Sequence, residues 1–269
     1  MRIALIVTTY NRPDALAAVL DGYLAQDDRD FELIVADDGS TADTRAMIDA
    51  YRARAPFKIV HVWQEDRGFR AAAARNRALA ATSADYIVFS DGDCVPTRGF
   101  VAQHRLLAEP GWFLAGNRVL LSEAFTARVL GERLPIHRYG RAQWLGAWLR
   151  RDINRLLPLL RFGDSPLRRR APQRWEGIKT CNLSAWREDL LRVNGLDERY
   201  NGWGLEDSDL VVRLLRAGVR HKSARFGTGV LHLWHRENDR SALPENRRRL
   251  EAVLRSDAIA AAQGVRQYL

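Results

Sequence analysis

The chain has 269 residues, 46% hydrophobic and 28% charged, which supplies ample apolar material for a core and excludes a disordered polar segment. No apolar run reaches the roughly 18 residues of a membrane span, Ile3–Val7 is too short for the apolar part of a signal peptide, and the two cysteines, Cys94 and Cys181, form no disulfide framework, so reduced thiols in a cytosol are expected. The net charge of +9 is local: Arg133–Trp175 holds eleven arginines against Asp152 and Asp164, while acids and bases balance elsewhere, so a basic patch is expected rather than a generally basic protein.

Arg2–Thr9 reads as a buried strand, followed by Tyr10-Asn11-Arg12-Pro13, with the proline suited to a helix's first turn. A helix over about 13–25 places Leu16, Val19, Leu20 and Tyr23 on one face. Phe31–Ala36 is the next strand and ends in Asp37-Asp38-Gly39-Ser40. A helix at Thr41–Arg54, a strand at Phe57–Trp63 and an alanine-rich helix at Arg70–Ala81 follow, and Tyr86–Phe89 makes a fourth strand. Strand and helix alternating through short links predict an α/β fold with a mostly parallel central sheet flanked by helices.

The fourth strand runs into Asp91-Gly92-Asp93. The two carboxylates alternate onto one side of an extended chain, and the glycine between them lets a ligand approach. Converging carboxylates seat a hard divalent cation, which in turn recruits phosphate oxygens. A polar turn would use the same residue types. However, Thr8, Tyr10, Asp37, Asp38, Arg75, Asp91 and Asp93 all fall at strand ends or a helix start, and hence on one rim of the sheet, where open α/β sheets bind ligands.

A helix near Arg98–Glu109 and one strand over Trp112–Leu121 come next. Tyr139–Leu157 then fits an amphipathic helix, with Trp148, Leu149, Ile153, Leu156 and Leu157 on one face, and Arg168-Arg169-Arg170 suggests an exposed loop. Tryptophan and leucine beside arginine suit both a helix lying on an anionic membrane and an ordinary surface helix. No aromatic platform supports nucleic-acid binding.

The second half carries Gly177–Ser184, a short helix at Arg187–Val193 capped by Asn194-Gly195, and Gly202–Leu210, where Glu206, Asp207 and Asp209 open a helix over Leu205–Ala217. Trp203 between two glycines is a costly way to build a cap and a good way to place an aromatic against a ligand. Strands at Val219–His221 and Thr228–Trp234 lead to His235, and a helix over Pro244–Ala262 closes the chain.

The ordered set TTYNRP (Thr8–Pro13), ADDGS (Ala36–Ser40), ARNRALAAT (Ala74–Thr82), SDGDC (Ser90–Cys94), GIKTCNLSAWRED (Gly177–Asp189), NGLDERYNGWGLEDSDL (Asn194–Leu210) and HLWH (His232–His235) resembles a family-2 glycosyltransferase of the GT-A fold. Its second half is similar to the carboxyl-terminal module of β-1,4-galactosyltransferases and bacterial chondroitin polymerase. The resemblance implies one catalytic domain over 1–269, with a nucleotide-sugar half at 1–121, a basic insert at 122–175 and an acceptor half at 176–269.

By the same resemblance, Thr8, Tyr10 and Asp38 contact the base of a nucleotide-sugar, with Arg12 in the same donor-binding group. Arg75 lies on the uracil or phosphate side, and Asp91 faces the ribose. Asp93 ligates Mn²⁺ or Mg²⁺ with His235, and His232 is partner or substitute where the galactosyltransferases have methionine. Trp203 lines donor phosphates and acceptor sugar, Glu206 binds the acceptor, and Asp207 is the catalytic base. The expected partners are a UDP-sugar donor, a glycan or lipid-linked saccharide acceptor, and an anionic membrane touched through 139–170, at the cytoplasmic face of a bacterial plasma membrane. A sugar-nucleotide nucleotidyltransferase and a non-catalytic membrane-surface protein share parts of the pattern. The first strand, ending in Thr-Thr-Tyr-Asn-Arg, lacks the glycine-rich loop a nucleotidyltransferase uses.

Overall fold

The computed structural model describes residues 1–269. Its first half is β1 (Ile3–Thr9), α1 (Pro13–Leu24), β2 (Phe31–Asp37), α2 (Ala42–Arg52), β3 (Ile59–Trp63), α3 (Ala71–Ala80) and β4 (Tyr86–Asp91). These four strands pair in parallel in the order β3-β2-β1-β4. Side chains alternate along β1, so Ile3, Leu5 and Val7 pack with Leu16, Leu20 and Tyr23 of α1, whereas Ala4 and Ile6 pack with Ala72, Ala74 and Ala78 of α3 on the other face. Burial on both faces is why these strands read as continuous apolar runs.

The chain continues through β5 (Cys94–Pro96), α4 (Phe100–Leu107), β6 (Trp112–Ala115), β7 (Arg118–Leu120), α5 (Glu123–Gly131), α6 (Arg141–Leu149), β8 (Asn182–Trp186), α7 (Arg187–Arg192), α8 (Glu206–Arg216), β9 (Arg220–Ser223), β10 (Val230–His232) and α9 (Leu243–Arg255). β8 lies antiparallel between β4 and β6, and β9 pairs in parallel with β6, completing a seven-stranded sheet. A second sheet, β5-β10-β7, stands beside the carboxyl end of β4.

Four sequence expectations are corrected. The single strand over Trp112–Leu121 is two strands in different sheets. At the corner, Gly116 N donates to Asn182 O and the Asn182 side chain donates to Asn117 O; a Cβ on Gly116 would stand 2.3 Å from that side chain, so only glycine turns here. The helix over Tyr139–Leu157 ends at Leu149, because Arg151 adopts φ 61 and turns the chain so that Ile153 bridges Leu121. Within that helix, Trp144 and Ala147 are buried, and Trp148 and Leu149 are exposed. Arg168 is not part of an exposed loop: it is buried, and its guanidinium donates to the carbonyls of Phe162, Gly163, Ser223, Arg225 and Phe226. The closing helix stops at Arg255, and a separate 3-10 turn at Val265–Tyr268 packs Val265 into the core.

Candidate active site

The carboxyl ends of β1, β2 and β4 open onto one cavity of about 530 Å³, where strand-end geometry in an α/β sheet places a ligand. Gly92 makes the turn after β4: its N–H donates to Thr8 O at 2.7 Å, and a Cβ there would meet that oxygen at 3.0 Å. The turn passes Asp91 to the central sheet's rim and Asp93 to the start of the small sheet. There Leu233 N donates to Asp93 O, and Cys94 pairs in register with His232.

That pairing assembles three donor groups. Asp93 Oδ1 lies 3.6 Å from His232 Nε2, and Asp93 Oδ2 lies 3.4 Å from His235 Nε2. The two imidazoles meet edge-on with centroids 5.2 Å apart. His235 Nδ1 faces its neighbour's carbonyl, Arg236 O, at 2.8 Å. A carbonyl only accepts, so in the neutral ring the proton sits on Nδ1 and the Nε2 lone pair points at Asp93. Burial pushes the His232 imidazole below its ordinary pKa against the pull of Asp93, which favours the neutral, ligating form. One carboxylate and two imidazoles at this spacing fit a divalent transition ion, Mn²⁺ better than Ca²⁺.

Across the cavity, the turns after β1 and β2 are stitched together: Asn11 N donates to Ser40 Oγ, and Thr41 N donates to Asn11 Oδ1. Asn11 takes φ 46 to do so, which asparagine tolerates better than most residues. Asp38 is buried and accepts from Gln64 Nε2 and from the Arg70 amide, both at 2.6 Å; burial raises its carboxyl pKa against those bonds. Tyr10 is half-exposed at the mouth, its hydroxyl 2.8 Å from Asp66 Oδ2.

The two halves of the chain join at Arg75. Its buried guanidinium donates to Asp91 Oδ1 at 2.9 Å and to Glu206 Oε1 at 3.3 Å. Glu206 and Asp207 begin α8, whose entry is built from left-handed residues at Gly202 (φ 71), Gly204 (φ 105) and Leu205 (φ 77). A Cβ on Gly202 would meet Ala242 Cβ at 2.5 Å, and the φ of Gly204 is one that residues with a side chain rarely adopt. The turn holds Trp203 at the cavity wall, with the Arg240 guanidinium 5.0 Å from its ring centroid. Burial, helped by Asp207 and opposed by Arg75, pushes Glu206 up to about 7, and its second oxygen is buried without a partner. Asp207 Oδ1 accepts from Ser208 N at 2.8 Å, and its Oδ2 stands 3.4 Å from Lys179 Nζ.

The twelve residues given site roles from the sequence line this cavity: Thr8, Tyr10, Arg12, Asp38, Arg75, Asp91, Asp93, Trp203, Glu206, Asp207, His232 and His235. Asp37, expected on the same rim, does not: it is buried, with its carboxylate held by Ser40 N and His61 Nε2, both at 2.8 Å. Arg118, Lys179 and Arg236 line it too, and sequence reasoning assigned them no role. A signal for Lys179 existed: the chain has 39 arginines and three lysines, and one of those lysines sits inside the 177–189 motif.

A family model described as Glycosyl transferase family 2 matches residues 4–156, and one described as the N-terminal domain of galactosyltransferase matches residues 168–236. Validoxylamine A glucosyltransferase of Streptomyces hygroscopicus subsp. limoneus is 33% identical over 244 residues, covering 85% of this chain and 51% of that protein. Chondroitin synthase of Escherichia coli is 24% identical over 242 residues, covering 82% and 33%. The chain spans about half the length of the glucosyltransferases it matches. Among solved structures, mannosyltransferase PcManGT from Pyrobaculum calidifontis, in complex with GDP-Man and Mn²⁺, superposes with a TM-score of 0.64 at 19% identity over 95% of this chain and 64% of that one. S. aureus TarS 1–349 in complex with UDP gives 0.62 at 14% identity over 100% and 68%. The fold they share is the GT-A fold, with its mostly parallel central sheet.

Proposed function

The chain belongs to glycosyl transferase family 2, and on that premise we propose that it is an inverting, metal-dependent transferase that moves a sugar from a UDP-sugar to a hydroxyl of a glycan or lipid-linked saccharide. The pathway we assign is bacterial surface polysaccharide or lipopolysaccharide synthesis. One observation carries the reading: Asp93, His232, His235 and the Asp207 carboxylate line a single cavity, although Asp93 comes from the first half of the chain and the other three from the second. The GDP-Man and Mn²⁺ bound by one structural neighbour and the UDP bound by the other support the donor class in general, and the resemblance of the motifs favours uridine.

In this reading Tyr10 and Asp38 hold the base end and Asp91 the ribose. Asp93, His232 and His235 would hold Mn²⁺ or Mg²⁺, which when bound supplies a Lewis acid for the charge growing on the diphosphate. Trp203 offers its ring face to the acceptor sugar, and the unpartnered oxygen of Glu206 accepts a sugar hydroxyl. The attacking hydroxyl gives its proton to Asp207 as its oxygen bonds to the anomeric carbon. The bond from that carbon to the phosphate oxygen breaks, and its electron pair leaves with the nucleoside diphosphate. Attack opposite the leaving group inverts the centre, so an α-linked donor gives a β product. Lys179, 3.4 Å from Asp207, keeps the base directed into the cavity.

The exposed Leu145, Trp148 and Leu149, set among arginines, support peripheral contact through 139–170 with an anionic membrane at the cytoplasmic face. A thermal-shift screen of nucleotide-sugars with and without Mn²⁺, followed by detection of the released product, tests the donor reading. Mn²⁺-dependent stabilisation and release of UDP are expected; release of pyrophosphate would assign a nucleotidyltransferase instead.

A further inference from the structure

Arg118 and Leu120 are the two outward residues of β7, on either side of the buried Val119. Alternation along a strand points both from the same face of the small sheet, roughly 7 Å apart. Arg118 lines the active-site cavity, whereas Leu120 lines a second hollow of about 560 Å³ with Leu121, Trp148, Leu149, Arg151 and Ile153. A single strand therefore separates a polar, cation-lined hollow from an apolar one.

The second hollow is built on fixed backbone. Asn154 Oδ1 accepts from Leu120 N at 2.9 Å, Asn154 N donates to Leu120 O at 3.1 Å, and Ile153 bridges Leu121, so 153–154 extends the sheet as its floor. The last turn of α6 is its wall. Buried Trp144 and Ala147 anchor that helix, and Leu145, Trp148 and Leu149, at 46%, 44% and 68% exposure, form an apolar stripe directed away from the core. The left-handed turn at Arg151 sets a second cation on the rim. Neither Arg118 nor Arg151 has a carboxylate within ion-pairing distance, and together they present unneutralised positive charge at the two ends of an apolar track.

We propose that this track binds the acceptor as an anionic amphiphile: Arg118 holds a phosphate attached to the acceptor sugar, and the hollow beyond β7 takes the hydrocarbon chain joined to that phosphate. The proposal rests on the transferase reading and deepens it by making the acceptor a lipid-linked saccharide phosphate. A soluble phosphorylated saccharide would use Arg118 without the hollow, and a neutral glycolipid would use the hollow without Arg118.

The test is calorimetric titration of the full chain, loaded with Mn²⁺ and UDP to fill the donor site, using dodecyl phosphate below its micelle concentration. Inorganic phosphate and dodecyl maltoside serve as the single-feature probes. Dodecyl phosphate should saturate one site and bind at least about 100-fold more tightly than inorganic phosphate, since each buried methylene contributes up to roughly fourfold. Leu149→Asp and Trp148→Asp, at exposed positions that leave the core intact, should weaken it about tenfold or more without changing UDP affinity. Arg118→Ala should reduce it to the level of dodecyl maltoside. Equal binding of phosphate and its dodecyl ester, equal binding of the neutral amphiphile, unsaturable uptake, or indifference to Leu149→Asp would each overturn the proposal. A larger loss of UDP than of dodecyl phosphate in Arg118→Ala would assign that arginine to the donor and overturn it as well. UDP titration in the same samples separates the two readings, because failure to bind UDP with Mn²⁺ would sink the donor assignment while leaving the amphiphile result standing.

Discussion

Asp93 Oδ2 lies 3.4 Å from His235 Nε2, although the first residue follows β4, the fourth strand of the central sheet, and the second follows β10, the last strand of the small one. The pairing of β5 with β10 is what brings them together, and it fixes His232 against the same carboxylate at 3.6 Å. The small sheet thus does for the second half of the chain what the strand-end turns do for the first, delivering its polar side chains to a common edge.

If that donor set binds the cation, Asp93→Ala should remove the Mn²⁺-dependent rise in melting temperature, with the metal-free melting temperature little changed. At a concentration about 100 times the dissociation constant, a single-site ligand stabilises by about 2.7 kcal/mol. His235→Ala and His232→Ala each remove one ligand and should shift the Mn²⁺ titration midpoint upward. A wild-type midpoint in Asp93→Ala would remove this carboxylate from the metal site.

Asp207 offers a different signature. Asp207→Asn keeps the side chain's shape and its bond from Ser208 N while removing the basic oxygen. Donor binding should survive, and acceptor-dependent release of nucleoside diphosphate should fall by about 10²–10⁴-fold, the usual contribution of a positioned general base. Full transfer activity in this variant would reject Asp207 as the base.

What the sequence made legible was governed by local rules. The strands Ile3–Thr9, Phe31–Asp37 and Tyr86–Asp91 are apolar on both faces because helices cover both, and their polar ends fall at one rim by topology alone. What stayed hidden depended on distant partners. The break between Ala115 and Arg118 follows from Asn182 filling the space beside Gly116. The early end of α6 follows from the left-handed Arg151, which helical periodicity does not register. Lys179 is rare enough to notice in the sequence, but its partner Asp207 is set beside it only by the fold.

Glu206 ties stability to pH. Its ordinary pKa is 4.5, and in the folded chain it is pushed up to about 7, chiefly by burial. Between those values the folded protein keeps a proton that the unfolded chain releases, so rising pH draws the equilibrium toward the unfolded state across that window. The loss, up to about 3 kcal/mol for this shift, is complete above about pH 7. Glu206→Gln cannot ionise, and its stability relative to wild type should therefore improve from pH 4.5 to pH 7.5 in urea titrations. Parallel pH profiles would place the folded pKa at its ordinary value.

The three consecutive arginines at 168–170 separate structural charge from surface charge. Arg168 is buried, with a guanidinium satisfied by five carbonyls from two loops, 162–163 and 223–226. Its neighbour Arg169 pairs with Glu109 and Asp164, which also receive the buried Lys222 ammonium. Arg170 is exposed and makes no ion pair. Truncating Arg168 strips five carbonyls of a donor at once, and each of them that water cannot reach costs about 1–3 kcal/mol. Arg168→Ala should therefore lower unfolding free energy by about 2–4 kcal/mol, whereas Arg170→Ala should stay within about 0.5 kcal/mol of wild type. Urea unfolding with vesicle sedimentation in parallel resolves the two roles. Arg170→Ala should weaken adsorption to phosphatidylglycerol vesicles by about 1 kcal/mol or less with stability intact. Equal stability of the two variants would mean that the carbonyl cluster around Arg168 does not hold the loops together.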